Sequence, residues 1–318
     1  PMDGPATQVV LGSWPKEHHR GADAADSDSG AEDDTTGTGS PGSSKASGHG
    51  SGSRAGESQV TAGRSHTSTT VTTTTETPAN TTVGLSSVRL YCWALMMPHG
   101  AEKALIRTLL NRGAGLFACD DYSVFSEGDI ELSPGPPARI GTTDIGSVKC
   151  KYGGKWYLAL NSPVFIKVWK KIFELKIYRK NDWTVKLDPD TVFIANRLRR
   201  QLLHSDPNAI VYLNNCDQGL HGPIEVIAVG GMRTFEQGID RCEKKLSYEF
   251  DQWGEDVFFR HCLGVLKVNR VDNFKLLSED RCFYENPAQN GCTSGKVSFH
   301  PFKKPDVYFK CLKEAGDD

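Results

Sequence analysis

Two carboxylates one residue apart, in Asp188-Pro189-Asp190, have the spacing in this chain that most directly suggests chemistry. They follow an apolar segment, 183–187, which predicts a buried strand ending just before the first aspartate. Mg²⁺ and Mn²⁺ prefer oxygen ligands, and proteins often hold them with one or two carboxylates together with phosphate oxygens of a nucleotide. The pair therefore predicts a metal site. The alternative is a plain turn, which Asp and Pro also favour.

Two further positions carry titratable groups in settings that suit a functional site. Glu255-Asp256 precedes an apolar helical pattern, where a carboxylate either caps the helix or acts as a general base. In the functional alternative, Asp256 takes the proton from an acceptor hydroxyl. His300 lies in the apolar segment Ser298-Phe-His-Pro-Phe, where an imidazole either packs or ligates a metal.

The elements that would position these groups alternate between strand and helix. The patterns predict strands at 88–97, 115–119, 183–187, 209–213 and 224–229, and helices at 101–111, from 162 onward and at 255–263. This alternation predicts an α/β sandwich with a mainly parallel central sheet, in which ligands bind beyond the carboxyl ends of the strands. We therefore expect Asp120-Asp121, after the second strand, to share one edge with Asp188-Pro189-Asp190.

Composition divides the chain near residue 88. Residues 1–87 are mostly Gly, Ser, Thr, Asp and Ala, and such a segment buries too little apolar surface to offset its chain entropy. We predict a disordered tail there, followed by one folded domain at 88–318. A Thr-rich run and the N-glycosylation acceptor at Asn80 suggest a glycosylated stem, with a flexible linker as the alternative.

Charge and cysteine content bound the function class. The chain has 37 basic and 39 acidic residues, of which five basic and ten acidic residues precede residue 88. The domain therefore keeps 37 − 5 = 32 basic and 39 − 10 = 29 acidic residues, and lacks the basic excess of a nucleic-acid-binding protein. No apolar run reaches the roughly 18 residues of a membrane span, so any anchor would lie upstream of Pro1. All nine cysteines lie in the domain, without a CxxC pair. We expect disulfides of an extracytosolic protein, with one thiol left over, rather than the buried thiols of a cytosolic one.

Taken together, several segments resemble the fringe-like, β-1,3-galactosyltransferase group of glycosyltransferases. They are Tyr157-Leu-Ala-Leu-Asn161, Lys186-Leu-Asp-Pro-Asp-Thr-Val-Phe-Ile194, Gly230-Gly231, Trp253-Gly-Glu-Asp-Val-Phe-Phe-Arg-His-Cys-Leu-Gly264 and Phe299-His300. In that order they are similar to the group's Tyr-x-Asn-Leu-Thr-Leu-Lys segment, its Lys-Thr-Asp-Asp-Asp-Val-Phe metal loop, its acceptor-side Gly-Gly-Tyr, its Glu-Asp-Val-Tyr-x-Gly-x-Cys helix and its late histidine. A closer resemblance, which supplies no activity, is to multicopy proteins of dinoflagellate algae with similar Asp-Pro-Asp and Phe-His-Pro-Phe segments.

The glycosyltransferase resemblance implies a GT-A fold, a nucleotide-sugar donor such as a UDP-sugar, and Mn²⁺ or Mg²⁺. It also implies inversion at the anomeric carbon by in-line attack. Carried over, Asp190 and His300 ligate the metal, Asp188 contacts the metal or the donor, and Asp256 is the base. Asp188 and Lys186 are the donor-binding residues implied with them, and Asp121 is expected to meet the nucleotide because of its position after the second strand.

The same resemblance implies a glycan or glycoprotein acceptor and a place in the secretory pathway, in the Golgi lumen. The chain departs from the pattern at Pro189, where the group has an aspartate, at Asn161, where it has a lysine, and at Met232, where an aromatic is expected. Donor and acceptor recognition therefore stay open.

Two alternatives belong to other function classes. A non-catalytic secreted module could keep the fold for carbohydrate binding or wall structure, and would bind sugars without hydrolysing nucleotide sugars. A cytosolic nucleotide-binding enzyme would have nine free thiols, but the chain contains neither a P-loop nor a Gly-x-Gly-x-x-Gly fingerprint.

Overall fold

The computed structural model describes residues 87–135, 138–154, 157–282 and 291–316. All but the last residue of the predicted tail, with its acceptor Asn80, lies outside these ranges, and the domain boundary near residue 88 stays a prediction. Among the described residues, none of the helices combines the length and apolar character that crossing a bilayer requires.

The described chain alternates strands with α-helices. The helices are α1 (Ala101–Arg112), α2 (Ser162–Leu175), α3 (Ala195–Leu202), α4 (Val229–Leu246), α5 (Glu255–Val265) and α6 (Pro305–Ala315). The strands are β1 (Leu90–Leu95), β2 (Asp121–Ser126), β3 (Glu131–Ser133), β4 (Ile140–Gly141), β5 (Thr143–Asp144), β6 (Lys151–Gly153), β7 (Leu158–Leu160), β8 (Trp183–Leu187), β9 (Val192–Phe193), β10 (Val211–Asn214), β11 (Ile224–Ala228), β12 (Asn269–Asp272), β13 (Leu277–Ser278) and β14 (Ser298–Phe299).

A seven-stranded central sheet has the order β12-β10-β11-β8-β1-β2-β5. β1 runs parallel to β2 and β8, β2 to β5, and β10 to β12, whereas β11 is antiparallel to both of its neighbours. The prediction of an α/β sandwich with a mainly parallel sheet is therefore confirmed.

Helices cover both faces of the sheet, which explains why its central strands β1, β8 and β11 are buried along almost their whole length. Along β1, Leu90 and Cys92 face a core shared with α1, α3 and α6, while Tyr91 and Trp93 face a second core shared with α2, α4 and α5. Successive strand residues point to opposite faces, so both sets are buried. The sheet thus forms the middle layer, and its edges are where polar chemistry can reach solvent.

Eight of the nine cysteines form disulfides, and Cys150 keeps a free thiol. The pairs are Cys92–Cys119, Cys216–Cys282, Cys242–Cys262 and Cys292–Cys311. The expectation of disulfides with one thiol left over is confirmed. The Cys216–Cys282 bridge joins the segment after β10 to the segment after β13, and both segments contribute to the site described below.

The prediction of a strand at 115–119 is wrong. A short 3₁₀ turn occupies Gly115–Ala118, and β2 begins only at Asp121. Hydropathy missed β2 because two of its buried residues are serines. Ser123 Oγ pairs with Tyr91 Oη at 3.0 Å, and Ser126 Oγ donates to the backbone oxygen of Met96 at 2.8 Å. These hydrogen bonds satisfy the hydroxyls inside the core.

Candidate functional site

The candidate site lies at the carboxyl edge of the central sheet, where β8 ends. Asp188, Asp190 and His300 each place a ligand atom within 4.8 Å of the others. Asp188-Pro189-Asp190 is indeed a turn, closed by a 3.0 Å hydrogen bond from the backbone N of Thr191 to the oxygen of Asp188. The turn and the metal site are therefore compatible, because the turn brings the two carboxylates together.

A small three-stranded sheet, β13-β14-β9, carries His300 to the aspartates. β13 and β14 are parallel, so Glu279 and His300, which follow them, emerge side by side. β9 is antiparallel to β14, so the residues before β9, Asp190 and Thr191, lie at the same end. His300 Nε2 lies 3.5 Å from Asp190 Oδ1, and its Nδ1 lies 3.0 Å from Glu279 Oε1.

Lys186 is a fully buried cation at the end of β8. Its ammonium lies 2.6 Å from Asp188 Oδ1 and 3.0 Å from Glu255 Oε1, and it donates to the backbone oxygen of Gly222 at 2.6 Å. Burial alone would lower the pKa of Lys186, but attraction to Asp188 and Glu255 outweighs it and raises that pKa. Gly222 leaves room for this contact, since a Cβ there would come within 2.6 Å of the Glu255 carboxylate.

Replacing Lys186 with methionine should destabilise the fold by about 3–5 kcal/mol, because it leaves Asp188 and Glu255 as uncompensated charges. The matched control is Lys170→Met, since Lys170 also contacts two carboxylates, Asp240 and Glu243, but at the surface. That control should cost no more than about 1 kcal/mol. Denaturant unfolding at neutral pH measures both, and equal losses would contradict the buried-pair account.

Hydrogen bonds between histidine and carboxylate set the charges around the candidate metal site. Burial opposes the charged forms, but Asp190 and Glu279 raise the pKa of His300 to about 10. Conversely, His300 lowers the pKa of Asp190, and His221 and His300 lower the pKa of Glu279 to about 2. Without a metal, His300 is therefore an imidazolium between two carboxylates. A metal ion bound to Nε2 would take the place of its proton.

The first turn of α5 brings two acids to the site. Asn161 Oδ1 accepts a 2.9 Å hydrogen bond from the backbone N of Glu255, which caps α5 from another segment of the chain. Glu255 turns toward Lys186, while Asp256 Oδ1 accepts from the backbone N of Val257 at 2.7 Å. Burial, and then the charge of Glu255, raise the pKa of Asp256 to about 6. A carboxyl with this pKa can exchange a proton near neutral pH.

The carboxyl edge holds more acids than cations, which fits a divalent ion. Burial is the main reason that the pKa of Glu102, at the start of α1, rises to about 7, and repulsion from Asp190 and Asp188 adds to the rise. Burial and the acids Glu255 and Asp190 likewise raise the pKa of Asp188 against the pull of Lys186. Two carboxylates and an imidazole are a suitable donor set for Mn²⁺ or Mg²⁺. A cation would relieve the mutual repulsion of these acids.

One sequence expectation does not hold at this site. Asp121 starts β2 in register with Tyr91, near the start of β1, so it lies at the opposite end of the sheet from Asp188. Its carboxylate accepts from Asn181 Nδ2 at 2.8 Å and pairs with Arg89. The expected shared edge was wrong because β2 starts, rather than ends, at this aspartate.

The paired glycines, Gly230-Gly231, occupy the first turn of α4. A Cβ at Gly230 would come within 2.1 Å of the backbone oxygen of Asn208, so the glycine allows close packing of helix against chain.

Four residues of the site were not identified as candidates from the sequence: Glu102, His221, Glu225 and Glu279. Glu225 on β11 lies opposite Lys186 on β8 in the strand register. Both of its carboxylate oxygens are buried without a hydrogen bond among the described residues. Burial raises its pKa well above the usual range. Glu225 could have been noticed in the sequence, because it is an acid within an otherwise apolar strand pattern.

No family model matches the chain, and no curated protein matches it. It is similar to the solved structure of a glycosyltransferase involved in the glycosylation of the major capsid of PBCV-1, with 8% identity, a TM-score of 0.43, and coverage of 71% of this chain and 99% of that one. It is also similar to the apo form of mouse xyloside xylosyltransferase 1, with 12% identity and a TM-score of 0.39. That match covers 67% of this chain and 97% of the xylosyltransferase. A third similar structure is an active-site mutant of LgtC, with 8% identity and a TM-score of 0.44. That match covers 70% of this chain and 95% of LgtC. At this distance the likenesses assign no activity and no site residue to this chain.

Proposed function

We propose that the domain at 88–318 is a metal-dependent, inverting glycosyltransferase. It moves a sugar from a nucleotide-sugar donor, a UDP-sugar in the first instance, to a hydroxyl of a glycan or glycoprotein. The observation that carries the proposal is the convergence of Asp188, Asp190 and His300 within 4.8 Å at the carboxyl edge of a parallel sheet. Ligand sites of open α/β sheets lie at this edge.

In this proposal, Asp188, Asp190 and His300 would hold Mn²⁺ or Mg²⁺. When bound, the metal neutralises charge on the donor diphosphate as it leaves the sugar. Lys186 fixes the carboxylates of Asp188 and Glu255 through hydrogen bonds of 2.6 and 3.0 Å. The first of these keeps the aspartate from turning away from the edge.

Asp256 is the general base of the proposed reaction. It belongs to the same acidic edge, next to Glu255, and its raised pKa lets it hold a proton taken from the acceptor hydroxyl. The oxygen of that hydroxyl then forms the new bond to the anomeric carbon, while the bond to the diphosphate breaks on the opposite face. This order of events inverts the anomeric centre.

A lumenal location, in the Golgi, is part of the proposal. Four disulfides within one domain suit an oxidising compartment, where nucleotide-sugar-dependent transfer to glycoproteins takes place.

Release of nucleoside diphosphate from a panel of UDP- and GDP-sugars tests the activity, with water standing in for the acceptor. We expect release in Mn²⁺, loss of release in EDTA, and recovery when Mn²⁺ is restored. If the folded protein releases no diphosphate from any donor yet binds glycans, the non-catalytic carbohydrate-binding module is the correct interpretation.

A further inference from the structure

Glu279 lies directly behind His300, on the side away from Asp190, and binds two histidines at once. His300 Nδ1 lies 3.0 Å from Glu279 Oε1, and His221 Nδ1 lies 2.8 Å from Glu279 Oε2. The side chains of His221 and Glu279 are only 22% and 14% exposed. A carboxylate only accepts hydrogen bonds, so both histidines must carry a proton on Nδ1.

This contact decides which nitrogen of His300 can ligate a metal. With the proton held on Nδ1 by Glu279, the other nitrogen, Nε2, is the one that faces Asp190, at 3.5 Å. Carboxylates that hold the second nitrogen of a metal-ligating histidine fix its tautomer and ring orientation. We propose that Glu279 is the positioning residue that presents Nε2 of His300 to the metal, and that His221 holds Glu279 in place from the other side. The inference rests on the proposed metal-dependent function.

Backbone pairing and a disulfide fix the position of Glu279 in the fold. Glu279 directly follows β13, whose parallel register with β14 places Glu279 beside His300. Three residues later, Cys282 is bonded to Cys216, and the backbone N of Cys282 donates to the oxygen of Glu279 at 3.1 Å. The disulfide thus attaches the Glu279 segment to the segment that carries His221.

His221 is fixed in the same way. Its backbone N donates to Asn215 Oδ1 at 2.9 Å, and Asn215 Nδ2 donates to the backbone oxygen of His221 at 2.7 Å. Asn215 is fully buried. The next residue, Gly222, accepts from Lys186, so the segment that supports Glu279 also supports the aspartate side of the site. Both halves of the proposed metal site therefore depend on the same segment, 215–222.

A purely stabilising role for Glu279 predicts a different outcome from a positioning role. If Glu279 only bridges two histidines, its loss lowers stability but leaves the metal affinity of the folded protein unchanged. If it orients His300, the metal affinity of the folded protein falls. The two effects can be separated by measuring metal binding well below the melting temperature of each variant.

The test is Mn²⁺ binding to the full chain, followed by the electron paramagnetic resonance signal of free Mn²⁺. We expect the Kd to rise about 10- to 100-fold in Glu279→Ala. The rise should be smaller in Glu279→Gln, which keeps the shape and one acceptor oxygen. Glu236→Gln is the matched control, since Glu236 also accepts from two side chains, Tyr178 and Arg179, but belongs to another part of the fold.

The outcomes separate the inference from the function beneath it. Wild-type binding of Mn²⁺ with an unchanged Kd in both Glu279 variants would overturn the positioning role and leave the metal site standing. Absence of Mn²⁺ binding by the folded wild type would overturn the metal site and the positioning role together. The graded loss, with the Glu236 control unchanged, is the result that the structure predicts.

Discussion

Replacing Asp190 with alanine should abolish metal-dependent nucleotide binding. The substitution removes one of the three proposed ligand groups, which is also the carboxylate that faces Nε2 of His300 at 3.5 Å. Loss of a direct ligand should cost more than the roughly 10- to 100-fold that follows when a residue behind a metal ligand is lost, so we expect UDP affinity in Mn²⁺ to fall more than about 100-fold. Isothermal titration of UDP into the variant, with Mn²⁺ present, measures this directly.

Asp121→Asn is the matched control for the Asp190 variant. Asp121 was also expected from the sequence to contact the nucleotide, but it lies at the opposite end of the sheet, with Asn181 and Arg89. We expect UDP affinity to be unchanged in this control. If Asp190→Ala binds UDP as tightly as the wild type, or if Asp121→Asn loses binding while it remains folded, the site has been placed at the wrong edge.

Asp256→Asn should stop transfer while sparing donor binding. The change removes the proton acceptor but keeps the shape of the side chain, and its oxygen can still accept from the backbone N of Val257. Loss of a general base typically costs about 10²- to 10⁴-fold in rate. We expect kcat for nucleotide-sugar turnover to fall within that range, and the Kd for UDP in Mn²⁺ to stay unchanged.

The pH dependence provides an independent check on Asp256. Its pKa of about 6 means that the carboxyl is protonated, and unable to accept a proton, below that pH. The value of kcat/KM should therefore rise with pH through about 6 and level off above it. A bound divalent cation would move this step to lower pH, because it favours the ionised carboxylate. A wild-type rate that shows no acidic step, or an Asp256→Asn variant that keeps the wild-type rate, would exclude the base role.

The fold class could be predicted because apolar periodicity is strong where both faces of the sheet are covered. The segment from Trp183 to Leu187 forms β8 as predicted, and the helix predicted at 255–263 is α5, Glu255–Val265. The strand β2 could not be found in this way, because Ser123 and Ser126 are buried and satisfy their hydroxyls only through contacts with β1 and the residue after it. Those contacts exist only in the folded sheet.

The three proposed metal ligands were identifiable because two share one turn and the third lies in a recognisable segment. The residues that hold these ligands in place could not be identified from the sequence, since their contacts depend on long-range packing. The strand pattern around Lys186 does not show which face of the sheet its side chain points to. Only the structure places its ammonium between Asp188 and Glu255. Likewise Glu279 lies in a segment without helical or strand periodicity, and the short parallel pair β13 and β14 brings it to His300.

Isothermal titration of UDP into the wild-type chain, first with Mn²⁺ and then with EDTA, tests the central claim most directly. The account predicts binding that requires Mn²⁺, because the nucleotide would attach mainly through a cation held by Asp188, Asp190 and His300. GDP serves as the second nucleotide, in case the donor carries another base. Equal binding with Mn²⁺ and with EDTA, or no binding of either nucleotide by the folded protein, would contradict a metal-dependent donor site at this edge.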